Sequence, residues 1–174
     1  MKKLSFILAI CLLTLGSADA QKCFQKGNVL LNPGVGLGSN YARNNGFNPS
    51  FFFSADFGVH DYVSVGPYIG STFFGNRVNA VDFGARGNFH WWQLLDDKVS
   101  ADLKQSQLEL YATLWMGYEL IMVRNVGSSG SFDIGFTQGL RWYPNSNNRF
   151  AIYGEFGYTP IAFATLGATI KIGK

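Results

Sequence analysis

Cysteine, charge and long apolar runs are all scarce in this chain. Of its 174 residues only Cys11 and Cys23 carry a thiol. Cys11 falls in an N-terminal segment with the character of a leader, so the mature chain, with Cys23 alone, can form no internal disulfide. Charged residues make up 14% of the sequence, against roughly 25% in an average soluble domain. The net charge of +3 is small and its basic residues are scattered, which excludes the clustered footprint of a nucleic-acid-binding surface. The two histidines, His60 and His90, belong to no metal-ligand spacing and to no nucleophile pair, so neither a metal, a cofactor nor a catalytic residue is expected. Beyond the N-terminus no segment approaches the roughly 20 apolar residues of a membrane-spanning helix.

The N-terminus has a recognisable design. "MKK" is a basic start, "LSFILAICLLTLG" an apolar run, and "SADA" a small-residue cleavage pattern, which together predict a secretory signal peptide over residues 1–20. Ile10 before Cys11 and Lys22 before Cys23 stand where lipoprotein processing needs a small residue. The domain then covers 21–174. Without Lys2, Lys3 and Asp19, the 14 basic and 11 acidic residues become 12 and 10.

What is abundant is aromatic: 16% of residues, with 16 Phe. In "VDFGARGNFHWW", Val81, Phe83, Ala85, Phe89 and Trp91 alternate with Asp82, Gly84, Arg86, Asn88 and His90. A period of two is the mark of a strand with one apolar and one polar face. The pattern recurs in "NVLLNPGVGLGS", "SFFFSADFGV", "YVSVGPYIGSTFF", "LELYATLWMGYEL", "FDIGFTQGLRWY", "FAIYGEFGYT" and "ATLGATIKI", giving eight strands, an even number as single-chain bacterial barrels have. Gln138 is the misfit, a polar residue on an apolar face. Pro33 and Pro67 fall mid-strand, where each removes a ladder donor, and bulges are expected there.

A soluble lipocalin-like binder also alternates, with its apolar face turned inward around a ligand. The second face decides between the two. It is rich in glycine with one or two charges per strand, rather than in the Lys, Glu and Thr of a water-facing sheet. Small residues beside a few long charged ones suit the narrow lumen of an eight-stranded barrel, which leaves the apolar set for lipid. The fold class expected is therefore all-β: a closed antiparallel eight-stranded transmembrane up-and-down β-barrel.

The signal peptide, a mature chain of this length and segments such as "VDFGARGNFHWW" followed by "LELYATLWMGYEL" resemble small outer-membrane barrels of the OmpA/OmpX type and are similar to the porin-family outer-membrane β-barrel domain. The resemblance spans about Gly27 to Ile172. It implies an outer-membrane location, contact with outer-membrane lipid, and insertion by the barrel-assembly machinery. Such barrels commonly end on an aromatic residue, whereas this sequence ends Ile172-Gly173-Lys174.

With both termini periplasmic, the extracellular connections are Ser39 to Asn48, Gly75 to Ala80, Val123 to Ser131 and the turn near Pro160. His60-Asp61, Gln93 to Gln107 and Pro144 to Arg149 are then periplasmic. In the longest of these Leu95, Val99 and Leu103 recur every four residues, predicting a short amphipathic helix over 94–104 that caps the lower mouth. Tyr41, Phe47, Tyr62, Phe74, Trp91, Trp92, Tyr118, Trp142, Tyr143 and Tyr158 fall near strand ends, where interfacial aromatic girdles sit.

The lumen face carries Asp56, Asp82, Arg86, Glu109, Glu119, Asp133, Arg141, Glu155 and Lys171, read as a structural ion-pair network because buried charges need partners. Asp82, Glu109, Asp133 and Glu155, from neighbouring strands, are the carboxylates expected to hold Arg86 and Arg141. The function expected is non-enzymatic: a structural or surface-interaction barrel with a plugged lumen. The alternatives are a lipid-modifying enzyme in the same shell, which no His-x-Ser arrangement supports, and the lipocalin-like binder.

Overall fold

The computed structural model describes residues 23–37, 49–74, 78–99, 107–123, 127–144, 149–159 and 162–173. The predicted leader and the Ser39–Asn48 connection lie outside them, as do the connections at 75–77 and at Pro160. Eight strands close into one barrel: β1 Val29–Leu37, β2 Ser50–His60, β3 Val63–Phe74, β4 Val78–Phe89, β5 Leu108–Val123, β6 Gly127–Trp142, β7 Phe150–Tyr158 and β8 Ala164–Ile172. Each pairs antiparallel with the next, and β1 closes on β8. The partners Leu37, Ala164, Phe156, Gln138, Ala112, Phe89 and Val63, traced in turn around the wall, lead back to β1 about ten residues lower, the stagger that tilts the strands.

The face assignment read from the alternation holds. Phe51, Phe53, Phe57, Ile69, Phe83, Leu114, Phe132, Phe136, Ile152 and Ile170 are exposed on the outside, while Asp56, Arg86, Glu109, Tyr111, Trp115 and Arg141 are buried inside. An outer surface that is apolar all round is not tolerated by water. It fits a bilayer, whose core a barrel crosses without orphaned backbone groups. The protein is a transmembrane β-barrel.

Several local expectations are corrected. The prolines make no bulge: the ladder skips Asn32 and Pro33 against β8, and Gly66 and Pro67 against β2, then resumes in unchanged register. Each proline costs pairing on one side only, because an antiparallel residue directs its N–H to a single neighbour. The register shift lies instead between Gly58 and His60, where Gly58 bonds with the N-terminal segment through Gly27 N–H (2.9 Å) and the Asn28 carbonyl (2.8 Å). β2 runs through His60, so the turn is Asp61-Tyr62. Much of the expected Val123–Ser131 loop is strand, β6 starting at Gly127.

The helix also starts earlier than 94: α1 spans Trp91–Val99 and packs against β5. Trp91 therefore leaves the strand pattern, and residues 100–106 lie outside the described residues. Tyr143 is no girdle residue, being fully buried in the mouth of the barrel.

Because burial against lipid sets the outer face, charge tolerance should depend on depth. Leu114→Arg, mid-wall on β5, is expected to cost roughly 2–4 kcal/mol, and Ser128→Arg, on the exposed tip of β6, about 0–1 kcal/mol. Folding titrations into lipid vesicles measure both; equal costs would contradict the assignment.

Candidate functional site

The lumen is built from glycine and aromatic residues together. A Cβ at Gly139 would overlap the Tyr111 ring, one at Gly167 the Tyr153 ring, and one at Gly117 the Tyr68 hydroxyl. Glycines on the inner face thus give three tyrosines their room. Phe52, Tyr68 and Trp115 form an aromatic layer, with Trp115 edge-on to Phe52 (5.0 Å between centroids) and to Tyr68 (4.8 Å).

Below that layer lie the two guanidinium groups. Arg86 Nη2 reaches Glu155 at 2.8 Å and its Nε lies 3.3 Å from Asp56. Arg141 Nη1 reaches Glu109 at 3.2 Å, and its Nη2 lies 3.8 Å from the same Asp56. Asp56 therefore stands between both cations. Aromatic faces cover what hydrogen bonds do not: Arg86 lies over Trp115 at 4.4 Å and Arg141 over Tyr111 at 4.0 Å. Both are arrangements that stabilise a desolvated guanidinium.

Neutral side chains complete the network. Asn32 donates to Asp56 (2.8 Å), and Tyr111 donates to Glu155 (2.8 Å). Asn88 accepts from Arg86 Nη2 (2.8 Å) and Thr113 (2.7 Å) while donating to Ser64 (2.9 Å). Thr169 accepts from Arg141 Nε (3.2 Å) and donates to Asn32 (2.7 Å).

The expected nine charges thus divide. Asp56, Arg86, Glu109, Arg141 and Glu155 meet in one network. Asp82 and Asp133 do not hold the arginines: Asp82 accepts from the Tyr68 hydroxyl (3.0 Å) and faces Glu119 across the β4–β5 ladder, and Asp133 accepts from Tyr158 (2.9 Å). All three sit toward the end away from the termini, beyond the aromatic layer. Lys171, at the opposite mouth, donates to the Cys23 carbonyl (3.2 Å). Parity alone places Asp56 in the lumen, yet a search for guanidinium partners on adjacent strands passes it over. Arg86 on β4 in fact reaches β2 and β7 across the lumen.

Residues 23–28 close that mouth, a feature no periodicity announced. Phe24 is fully buried and stacks on His90 at 3.8 Å with planes 10° apart. Cys23 packs with Tyr143 and Ala151. His90 Nδ1 contacts Glu109, its Nε2 lies 3.1 Å from the Ser64 hydroxyl, and Tyr143 donates to the second Glu109 oxygen at 2.9 Å. Ser64, His90 and Glu109 are thereby ordered as nucleophile, base and orienting carboxylate would be. All three are at most 2% exposed. A neutral imidazole that donates from Nδ1 to Glu109 and accepts at Nε2 from the Ser64 hydroxyl satisfies both ring nitrogens while the Ser64 oxygen accepts from Asn88. Burial pushes the His90 imidazole below its ordinary pKa, against the pull of Glu109. Among the described residues no three His, Cys, Asp or Glu side chains are placed to hold a metal.

No protein-family model matches the chain, and no curated protein does. Solved structures do. The N-terminal β-barrel domain of OprF from Pseudomonas aeruginosa matches with TM-score 0.55 and 15% identity over 84% of this chain and 98% of that one. Ail, the attachment invasion locus protein of Yersinia pestis, solved in complex with the heparin analogue sucrose octasulfate, matches with TM-score 0.52 and 14% identity over 85% and 100%. A de novo designed transmembrane β-barrel matches with TM-score 0.53 and 14% identity over 86% and 99%. The fold is that of the small eight-stranded outer-membrane barrels. A designed barrel fits as well as natural ones, so the likeness is one of architecture.

The network generates two expected outcomes. Arg86→Leu leaves Glu155 buried without its cation and Asp56 with Arg141 alone, and should cost roughly 3–5 kcal/mol, against about 0–1 kcal/mol for Arg149→Leu on the exposed rim; thermal unfolding in detergent reads both. The second concerns acid. An unfolded histidine takes up a proton near pH 6.5 while the buried His90 resists it, so stability contributed by neutral His90 is present above about pH 6.5 and lost as pH falls below it. His90→Gln should flatten that decline between about pH 7 and pH 5. An unchanged slope would contradict a neutral His90.

Proposed function

We propose that the chain is a non-enzymatic outer-membrane protein whose barrel is a sealed scaffold, and that its outward contacts are made by the connections remote from the termini. The packed lumen carries this reading. An eight-stranded barrel has room inside for side chains only, and here Arg86, Arg141, Tyr111, Trp115 and Tyr153 are all buried in it. Residues 1–20 serve as the export signal in this reading, the assembly machinery inserts the chain, and both termini stay periplasmic.

The sequence of the outward connections suggests their chemistry. Those joining β1 to β2, β3 to β4 and β5 to β6 contain Arg43, Arg77 and Arg124, one each, and no carboxylate lies in 38–48, 75–77 or 124–126. Arginine forks favour sulfate and phosphate oxygens. The partner class proposed is therefore an anionic glycan or phosphorylated saccharide. Ail, of the same fold, is a protein solved with a sulfated sugar.

The enzymatic rival rests on Ser64, His90 and Glu109. Their burial beneath Phe24 favours a structural role, since a nucleophile must meet its substrate. Planar-bilayer recording and a serine-directed fluorophosphonate probe test the scaffold on purified, folded protein. The expectation is no steady conductance and no labelling of Ser64; ion-selective conductance, or labelling abolished by Ser64→Ala, overturns it. For the partner, salt-sensitive binding of sucrose octasulfate should be lost in the triple variant Arg43→Gln, Arg77→Gln, Arg124→Gln. Undiminished binding in that variant would reject the arginine reading.

A further inference from the structure

Gln138 is the one polar side chain that the alternation placed on the apolar face of its strand, and the structure keeps it there. It is exposed on the outside of β6 between Phe136 and Leu140, with Ala112 and Phe156 as its cross-strand neighbours. It stands four positions before Trp142 at the lower end of β6. At about 3.3 Å per residue and a tilt near 40°, that places it roughly 10 Å inside the apolar belt. Among the described residues its amide hydrogen-bonds to nothing in its own chain. An amide in hydrocarbon lacks the water that would satisfy it, so a partner must come from outside the barrel.

The surface beside it is shaped. A groove of about 460 Å³ runs from Trp91 of α1 over β5 to β8 as far as Leu37 of β1, walled by Leu110, Leu140, Phe156 and Leu166, with Gln138 in its lining. Its floor dips at Gly154, which lies on the outer face between Leu140 and Leu166. Phe156, two residues along the same strand, is the most exposed large apolar side chain described, at 75%. A knob thus stands next to a hole on one strand, and a side chain that both donates and accepts stands next to both.

We propose that this face is the interface of a two-fold homodimer within the membrane, Phe156 of each copy seated over Gly154 of the other and the two Gln138 amides hydrogen-bonded across the axis. A second copy is the occupant the observations favour. An acyl chain fills an apolar groove but offers the amide no partner, whereas a two-fold axis presents each patch with itself, so that an amide meets an amide and a knob meets a hole. Hydrogen bonds between polar side chains and close approach at small residues are what hold proteins together where lipid removes the hydrophobic drive. The inference rests on the assignment of this barrel to a membrane and goes beyond it.

The test uses Cys23→Ser protein carrying Ser128→Cys on the exposed β6 tip, labelled with donor or acceptor dye and reconstituted in phosphatidylcholine vesicles. Energy transfer should rise and saturate with protein-to-lipid ratio and be competed by unlabelled protein. Gln138→Leu and Gly154→Leu, each added separately, should weaken association about tenfold. Ile69→Ala, on β3 and outside the groove, should not. Retention of folded mobility on unheated gels confirms that each variant still forms its barrel. In a second arm Gln138→Cys in the Cys23→Ser background should oxidise to a disulfide-linked dimer, and Ile69→Cys should not. Folded protein that stays monomeric at every lipid ratio means that lipid fills the groove, and overturns the proposal. Association insensitive to both groove variants places the interface elsewhere and overturns it equally. Failure to enter vesicles at all would instead remove the membrane assignment.

Discussion

Asp56 lying between Arg86 and Arg141 is the contact on which the molecule depends. The outside of this barrel is dissolved in hydrocarbon and contributes no inward pressure of the kind that packs a soluble core. The arginine network inside it holds three carboxylates, Asp56, Glu109 and Glu155, and two guanidinium groups, all at most 3% exposed. Removing any one of them leaves a charge in a place that water does not reach. Much else serves that arrangement. Gly139 leaves space for Tyr111, which covers Arg141 and hydrogen-bonds Glu155, while Asn32 donates to Asp56, Asn88 accepts from Arg86, and Phe24 closes the mouth by stacking on His90. The barrel is an inverted protein, polar and packed within, apolar and plain without.

Most of the wall was legible in the sequence because a period of two is a local property. Any six residues of β4 reveal which side Phe83 and Arg86 occupy, and a slip by one residue would put every charge into lipid. The charged partners were not legible in the same way. Whether Arg86 meets Asp82, four residues away on its own strand, or Asp56 and Glu155 across the lumen depends on the stagger with which eight strands close, and no single strand encodes that. The prolines misled for a similar reason: the missing donor was correctly foreseen, but the bulge was not needed, since one interrupted pairing on one side is cheaper than a shifted register. The N-terminal plug escaped altogether. Residues 23–28 show no alternation, and only their fit to Gly58 and His90 in three dimensions gives them a place.

In the proposed scaffold, Ser64, His90 and Glu109 form a familiar constellation from hydrogen-bonding needs alone. A buried neutral imidazole needs one acceptor and one donor, and a carboxylate and a hydroxyl supply them. The same pair of needs generates a catalytic relay when the hydroxyl faces a substrate. Here it faces Asn88. The proposed sealed scaffold leaves interaction to two remaining surfaces, the outward connections with their arginines and the lipid-facing groove at Gln138. The first belongs to the proposed function and the second to the proposed dimer, and neither needs the lumen to open.

The central claim is that the two lumen arginines are dry and held. Proton exchange at their side-chain Nε, monitored by nuclear magnetic resonance on the folded protein in lipid nanodiscs, tests it most directly. Arg86 and Arg141 should exchange far more slowly than Arg149 on the exposed rim, because exchange there requires the barrel or its plug to open. Exchange of Arg86 and Arg141 as fast as that of Arg149 would mean that water passes freely through the lumen, and the account of a sealed barrel would be wrong.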